Sequence, residues 1–376
     1  MREHEIVVAG AGYAGLHAVL RLAAWLGENH KNVGLTLVDK HDYHQVLTEL
    51  PRVAGGARSA DEVRLPLREV LDRRVTFVQA AIEGFDLPGK HLLTSAGPIP
   101  YTRLILALGS RPNDFGIPGL SERALTLWSV DDAKRVLAAV DTQVAAAATA
   151  TDAATRQRHL TVVIGGGGAT GVELAGELAE ELPDLAKRHD INPKLCRIIL
   201  IDAGPTILAG SSPELIAKAN DILRNLGVEV RTNAAVTRVT DEGVVLKSGE
   251  VVAGGVFVWA GGVKAPEVVA DSGLTVGHNG RVKIDQHLRA IDHPEIYVAG
   301  DLASVTDPAT GRAIPPTAQL ALVEGEVAAT NLHAEMTGKP WKPSAMRLAP
   351  SSSRSAAARG SLRSPGAISV AGRRTC

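Results

Sequence analysis

The chain has 376 residues, 45% of them hydrophobic, and 38 glycines, enough for two cores of ordinary size with many tight turns. Its 40 basic and 41 acidic side chains leave a formal charge of −1, so there is no bias toward polyanions and nucleic acid is excluded as an expected partner. The cysteines are Cys196 and Cys376, far apart, which gives no disulfide framework, no CxxC and no zinc spacing; no metal site is expected. The N-terminus enters a strand without an apolar signal region, and no segment holds about 18 uninterrupted apolar residues, so the expected location is the cytoplasm.

Glu5 to Ala9 reads as a short strand, followed at once by Gly10-Ala11-Gly12-Tyr13-Ala14-Gly15 and by a helix with Leu16, Val19, Leu20, Ala23 and Leu26 on one face. Strand, GxGxxG and helix in that order form a phosphate cradle. The first glycine permits the tight turn, the second lets backbone approach a pyrophosphate, and the third brings the helix close to the sheet, while the helix N-terminus offers free N–H groups. The next strand, Leu35 to Val38, ends in Asp39, an acid about 20 residues beyond the glycines, where an adenosine ribose is hydrogen-bonded. Lys40 to Gly56 reads as a loop past that strand end. It holds Asp42-Tyr43-His44 and Thr48-Glu49-Leu50-Pro51, and His44 is either a ligand contact or a structural histidine. Val75 to Ala80 is a further strand. Arg103 to Leu108 is a buried strand ending in Gly109, and Ser110 to Asn113 reads as an exit from the first domain. Asp131 to Arg158, rich in alanine, is expected as a surface helix of low information.

The opening pattern then returns. Thr161-Val162-Val163-Ile164 runs into a second cradle with Gly166, Gly168 and Gly171, and into a helix with Leu174, Ala175, Leu178 and Leu182 on one face and Glu173, Glu177 and Glu180 on another. The following strand, Arg197 to Asp202, again ends in an acid. The longer spacing from Gly171 is read as an insertion from Pro183 to Lys194. A carboxylate at Asp202 accepts from a free ribose 2′-hydroxyl and repels a 2′-phosphate; two like charges about 4 Å apart at an effective dielectric near 20 cost on the order of 4 kcal/mol. NADH is therefore expected to be preferred over NADPH. Short strands run from Val228 to Leu246, and Val256 to Ala260 is a second apolar strand ending in glycine, Gly261. Ile296 to Ala299 leads into Gly300-Asp301, and Pro315-Pro316-Thr317 precedes a helix from about Ala318 to Glu335.

From Glu5 to Lys339 the chain resembles flavoproteins built from two dinucleotide-binding domains, one for FAD and an inserted one for NAD(P)H. The resemblance rests on both glycine motifs, the strands ending at Gly109 and Gly261, and Gly300-Asp301. It implies an α/β fold with two Rossmann-like domains. The FAD domain covers 1–113 and 264–343, the NADH domain covers 114–263, and 344–376 is an irregular tail. It further implies that Gly10, Gly12, Gly15, Asp39, Gly109, Ala318 and Asp301 serve FAD, with Asp301 at the ribitol, and that Gly166, Gly168, Gly171, Asp202 and Gly261 serve NADH. The disulfide reductases and the sulfide:quinone enzymes share the architecture but use redox cysteines, and this chain has none suitably placed.

Asp42-Tyr43-His44, Phe115-Gly116-Ile117-Pro118-Gly119, Thr170 to Gly176, Trp259-Ala260-Gly261 and Ala318-Gln319-Leu320-Ala321 resemble type II NADH:quinone oxidoreductases in particular. That likeness implies a single-chain, non-proton-pumping respiratory dehydrogenase. It would pass electrons from NADH through FAD to a membrane quinone, menaquinone or ubiquinone. It would sit peripherally on the inner face of the cell membrane, with a homodimer as the candidate assembly. It assigns Glu173 as a proton donor or ligand-gating carboxylate, against the alternative of a solvated acidic helix face, and Gln319 to the quinone side of the flavin. The helix opening at Thr317-Ala318-Gln319 would face the N1 and C2=O end of the flavin. The chain departs from the family at Val323, where the pattern carries a second glutamine, and after Pro343, where Ser344 to Cys376 is acid-free and rich in Ser, Ala and Arg. That tail reads as a frameshifted terminus or as a disordered basic segment with weak attraction for anionic lipid. Two other functions fit the same motifs: a reductase of a soluble carrier such as a ferredoxin, and a flavin-binding sensor or weakly active product.

Overall fold

The computed structural model describes residues 4–26, 32–307, 311 and 313–341, so the tail at 344–376 lies outside the described residues. The chain divides into two compact units, one comprising the residues up to 44, 67–109 and those from 265 on, the other 45–66 and 110–264. Residues 45–66, assigned from the sequence to the first domain, pack in the second unit.

The first unit is built on a parallel five-stranded sheet in the order Ile296–Val298, Arg103–Leu106, His4–Ala9, Val33–Asp39, Thr76–Gln79. Its strands carry apolar residues on both faces because both are covered, as a parallel sheet requires. Val7, Ala9, Val38, Leu104, Leu106, Ile296 and Val298 form one core with Leu87 and Leu92 of an antiparallel meander, Ile82–Asp86, His91–Thr94 and Gly97–Pro100. Ile6, Val8, Leu35, Leu37 and Ile105 are buried on the other face, where the Tyr13–Leu26 helix lies on the sheet and the Ala318–Thr337 helix packs beside it.

The second unit repeats this plan. Its parallel sheet runs Leu125–Thr126, Val256–Trp259, Thr161–Gly165, Arg197–Ile201, Val228–Arg231. One face, with Val162, Ile164, Ile198, Leu200, Val256 and Val258, packs on helices through Leu174, Leu178 and Leu182. The other, with Val163, Ile199, Ile201, Phe257 and Trp259, packs on a meander of Val236–Thr240, Gly243–Leu246 and Val251–Ala253. In both units the glycine-ended strand flanks the motif strand on one side and the acid-ended strand flanks it on the other.

Three stretches differ from the sequence reading. Residues 131–158 form two helices, Val130–Thr149 and Ala153–His159, whose first residues are capped by Ser129 and Asp152. Val136, Val140, Val144 and Ala147 recur at helical spacing and are fully buried, so the first helix is a wall of the core and not a surface element. The stretch read as an insertion, 183–194, is largely helix: Ala169–Arg188 continues through Pro183, and this extra helix accounts for most of the long spacing to Asp202. Residues 40–56 are not a plain loop, since Leu50–Ala54 is a short helix with Pro51 in its first turn.

Gly325 sets how closely the Ala318–Thr337 helix approaches its neighbour. A Cβ there would land on the Ala14 carbonyl oxygen, whereas one at Gly176 would meet nothing within 4 Å. G325A is expected to lower stability by about 1–3 kcal/mol through forced overpacking. G176A should instead gain up to about 1 kcal/mol from alanine's helix preference. Urea unfolding of the two variants checks this, and a G325A midpoint equal to that of the parent would show that the two helices yield freely.

Candidate functional site

Each unit places its motif turn at the carboxyl end of the central strand, and in each the glycines divide their roles in the same way. Gly10, at φ +103°, carries no side chain because a Cβ would strike the Ala107 carbonyl, and Gly15 because a Cβ would fall on the Gly10 carbonyl oxygen. In the second unit Gly166, at φ +111°, faces the Ala260 carbonyl, and Gly171 faces the Gly166 carbonyl oxygen. These four glycines are required by the protein's own backbone. Gly12 and Gly168 are not: a Cβ on either would meet nothing within 4 Å. The middle position is therefore the one where a side chain would project into open space, beside the N-termini of the Tyr13–Leu26 and Ala169–Arg188 helices. A pyrophosphate fits that space, since the helix ends supply N–H groups and a favourable dipole for an anion.

The acids close the cradles identically. Asp39 accepts from the Ala11 N–H through Oδ2 at 2.7 Å and from the His41 N–H through Oδ1 at 2.8 Å. Asp202 accepts from the Gly167 N–H through Oδ2 at 2.6 Å and from the Gly204 N–H through Oδ1 at 2.6 Å. A carboxylate offers about four lone-pair sites, so each acid keeps acceptor capacity for ribose hydroxyls after bracing its loop.

In the first unit the Gly300-Asp301 turn lies against this region. The Ala299 N–H donates to the Leu106 carbonyl at 2.9 Å, and a Cβ on Gly300 would touch Ala14 and Ala321, which places the Gly300-Asp301 turn against the start of the motif helix. Gly109 adopts φ +65° in open space. Thr317 caps the Ala318–Thr337 helix by accepting from the Leu320 N–H at 3.1 Å. Ala318 is partly exposed, and Gln319 and Val323 are exposed.

In the second unit Gly261 adjoins Gly166, but its own lack of a side chain is explained by the Trp259 ring, which a Cβ would strike. Trp259 is fixed there by donating its indole N–H to the Asn113 carbonyl at 2.7 Å. Glu173 is partly buried, four residues before Glu177 on the same helix face. Glu180, the third acid named for that face, is exposed. A Cβ on Gly55 would meet Glu177, Arg52 Nε lies 3.8 Å from Glu177, and Arg52 and Arg58 both pair with Glu49, at 3.1 and 3.0 Å. Glu181 pairs with Arg188 at 3.0 Å. Among the described residues no cluster of His, Cys, Asp and Glu is arranged to hold a metal ion.

Two buried titratable groups border the first cradle. His44 is 1% exposed and its Nδ1 lies 2.8 Å from the Ala11 carbonyl. A carbonyl only accepts, so the proton is on Nδ1, and Nε2 has no hydrogen-bond partner among the described residues. Burial holds this imidazole below the usual histidine range, with His17 adding to the effect, although the Ala11 bond and Asp39 oppose it. The second group, Glu324, was not singled out from the sequence. It is 1% exposed and accepts from the Gly300 N–H at 2.5 Å. Its signal was there to read, since Ala321, Glu324 and Ala328 follow helical spacing and put an acid on an apolar face.

The profile of the pyridine nucleotide-disulphide oxidoreductase family matches residues 4–325. A type II NADH:quinone oxidoreductase of Staphylococcus saprophyticus is 29% identical over 340 residues, which span 89% of this chain and 83% of the relative. One of Staphylococcus aureus is 30% identical over 339 residues, with the same shares of the two chains. Among solved structures, NDH2 of Plasmodium falciparum in complex with NADH superposes with a TM-score of 0.79 at 18% identity, covering 88% of this chain and 83% of that one. This likeness supports the fold described above.

The neutral state of His44 has a measurable consequence. A histidine whose folded-state pKa is depressed binds its proton more readily when unfolded, so its contribution is complete above about pH 6.5 and is lost as pH falls below that value. The urea midpoint is expected to drop between pH 7 and 5.5. H44Q, which can still donate to Ala11 but does not titrate, should flatten that slope; an unchanged slope would assign it to other groups.

Proposed function

Because the chain belongs to the type II NADH:quinone oxidoreductases, within the pyridine nucleotide-disulphide oxidoreductase family, we propose that it is a respiratory, non-proton-pumping enzyme that oxidises NADH with FAD and reduces a membrane quinone. The observation that carries the reading is the duplicated cradle: two glycine turns, each with a middle glycine that no protein atom requires, and each braced by the acid at the end of the next strand. Two such turns suit two dinucleotides. In this reading the first unit holds FAD through Gly10, Gly12, Gly15, Asp39 and Asp301, with Gly109 and Ala318 nearby, and the second holds NADH through Gly166, Gly168, Gly171, Asp202 and Gly261.

FAD, when bound, supplies the centre that takes a hydride and releases electrons. The chain's own residues bind, select and position. Asp202 holds the ribose hydroxyls of NADH and disfavours the 2′-phosphate of NADPH. The N-terminus of the Ala318–Thr337 helix favours negative charge near it by roughly 0.3–2 kcal/mol. Glu173 moves or holds a proton during turnover, a role supported by its partial burial and by the ion-paired residues packed along the same helix face. Gln319 contacts the quinone from the first turn of its helix. No helix among the described residues is long and apolar enough to cross a membrane. The quinone is lipid-soluble, so the reading places the protein peripherally at the cytoplasmic membrane surface.

The test is to purify the protein with its flavin spectrum and titrate it anaerobically with NADH. Bleaching by NADH and recovery on adding a menaquinone or ubiquinone analogue are expected; recovery with ferredoxin alone would favour the soluble-carrier reading. Gly12→Ala and Gly168→Ala separate the cradles. Both should fold normally, G12A losing bound flavin and G168A keeping it while NADH no longer bleaches it. Glu173→Gln should slow quinone reduction about 10²–10⁴-fold, the range of a lost general acid, with flavin content unchanged. Full turnover in E173Q would remove the proton role.

A further inference from the structure

Glu324 is the most deeply buried carboxyl among the described residues. It sits beside Gly325, whose backbone is seated on Ala14, so the helix cannot turn to bring the acid to water. Its Oε2 receives the Gly300 N–H at 2.5 Å, and its Oε1 has no hydrogen-bond partner among the described residues. Arg281 holds the other half of the same turn. Its Nε donates to the Asp301 carbonyl at 2.9 Å and its Nη1 to the Ile314 carbonyl at 3.3 Å, while Nη2 is buried without a hydrogen-bond partner among the described residues. Gly300 and Asp301 are thus gripped from two sides, by a carboxyl on the N–H and by a guanidinium on the carbonyl.

An ionised carboxylate with an unsatisfied oxygen in this position bears a desolvation penalty that an uncharged acid escapes, and a carboxylic acid's carbonyl oxygen still accepts from an amide. We propose that Glu324 is a positioning residue that holds the Gly300-Asp301 turn as an uncharged acid, and that loss of its proton loosens the turn's grip on the flavin. The second half of this statement rests on the assignment of FAD to the first unit. The charged groups acting on Glu324 are Asp301, which repels a carboxylate, and Arg281, which favours one; on the motif helix Ala14 packs against Gly325, and the charged Arg21 pairs with Glu326 at 3.6 Å. Burial outweighs Arg281 and pushes the carboxyl up to about 8. An acid raised in the folded state gives stability that is complete below its unfolded value of 4.5 and is lost as pH rises through about 8. Glu324 therefore switches in the mildly alkaline range.

The experiment measures flavin dissociation and the urea midpoint of the full chain from pH 6.5 to 9.5 for the parent, Glu324→Gln and Glu324→Ala. Glutamine keeps the acceptor for Gly300 and cannot ionise; alanine removes the acceptor. The parent is expected to bind flavin about tenfold more weakly at pH 9 than at pH 7, as the ionised fraction rises from roughly one tenth to nine tenths. E324Q should match the parent at pH 7 and show no such loss at pH 9, a pH profile that a merely structural role would not alter. E324A should bind flavin weakly at every pH, and if it does not fold the comparison of parent with E324Q still decides. An E324Q profile that falls like that of the parent would overturn the proposal, as would a parent profile that stays flat. Should the parent bind no flavin at any pH, the FAD assignment fails instead. The urea midpoint without flavin then reads the latch alone: a decline between pH 7 and 9 that E324Q lacks supports it, and equal declines refute it.

Discussion

The contact on which both units depend is the hydrogen bond from a glycine-loop N–H to the aspartate that ends the neighbouring strand, Ala11 to Asp39 and Gly167 to Asp202. It ties the turn between one strand and its helix to the tip of the next strand, and strand register decides whether the acid arrives there. Ala9 pairs with Val38, and Gly165 with Ile201, so in both sheets the acid emerges one residue beyond the last paired position. The Gly10 N–H to Val38 and Gly166 N–H to Ile201 bonds, both 2.8 Å, extend the same register into the turn. The loop is thus fixed at both ends, and the two copies share this bracing although their surroundings differ.

Local patterns of this kind are legible in sequence because they are short and repeated. The strands entering both motifs, the acids that follow, and the glycine-ended strands all stand where their spacing places them. In the alanine-rich stretch propensity predicts helix but not which side is covered, whereas period does: Val136, Val140 and Val144 lie on one helical line. The insertion from Pro183 gives no sign in sequence of its helical form; Leu182 and Leu185 on either side of the proline are both buried in the core and hold the helix through it. Helical spacing marks Glu324 as an acid on an apolar face, but its partner, the Gly300 N–H, lies 24 residues away in the chain. Tertiary partners supply that information, and no window of sequence contains them.

Burial neutralises two of the groups that border the first cradle. An ordinary histidine titrates close to neutrality and an ordinary glutamate is ionised there, yet burial drives His44 and Glu324 each toward its neutral form. Each is held in place by a bond to the backbone of a turn, Ala11 in one case and Gly300 in the other. The two neutral groups limit from below and above the pH at which the unit is most stable.

The allocation of residues 45–66 bears on how the molecule is made. Leu50, Val53, Ala54 and Val63 belong to the core that also contains Ala133, Leu174 and Leu178, although about seventy residues of chain separate the two groups. A ribosome delivers these four apolar side chains first, at roughly 5–20 residues per second, and their partners follow several seconds later. During that interval the nascent polypeptide displays a greasy patch with nowhere to bury it, a natural landing place for a chaperone and the step at which overexpression would drive the product into inclusion bodies.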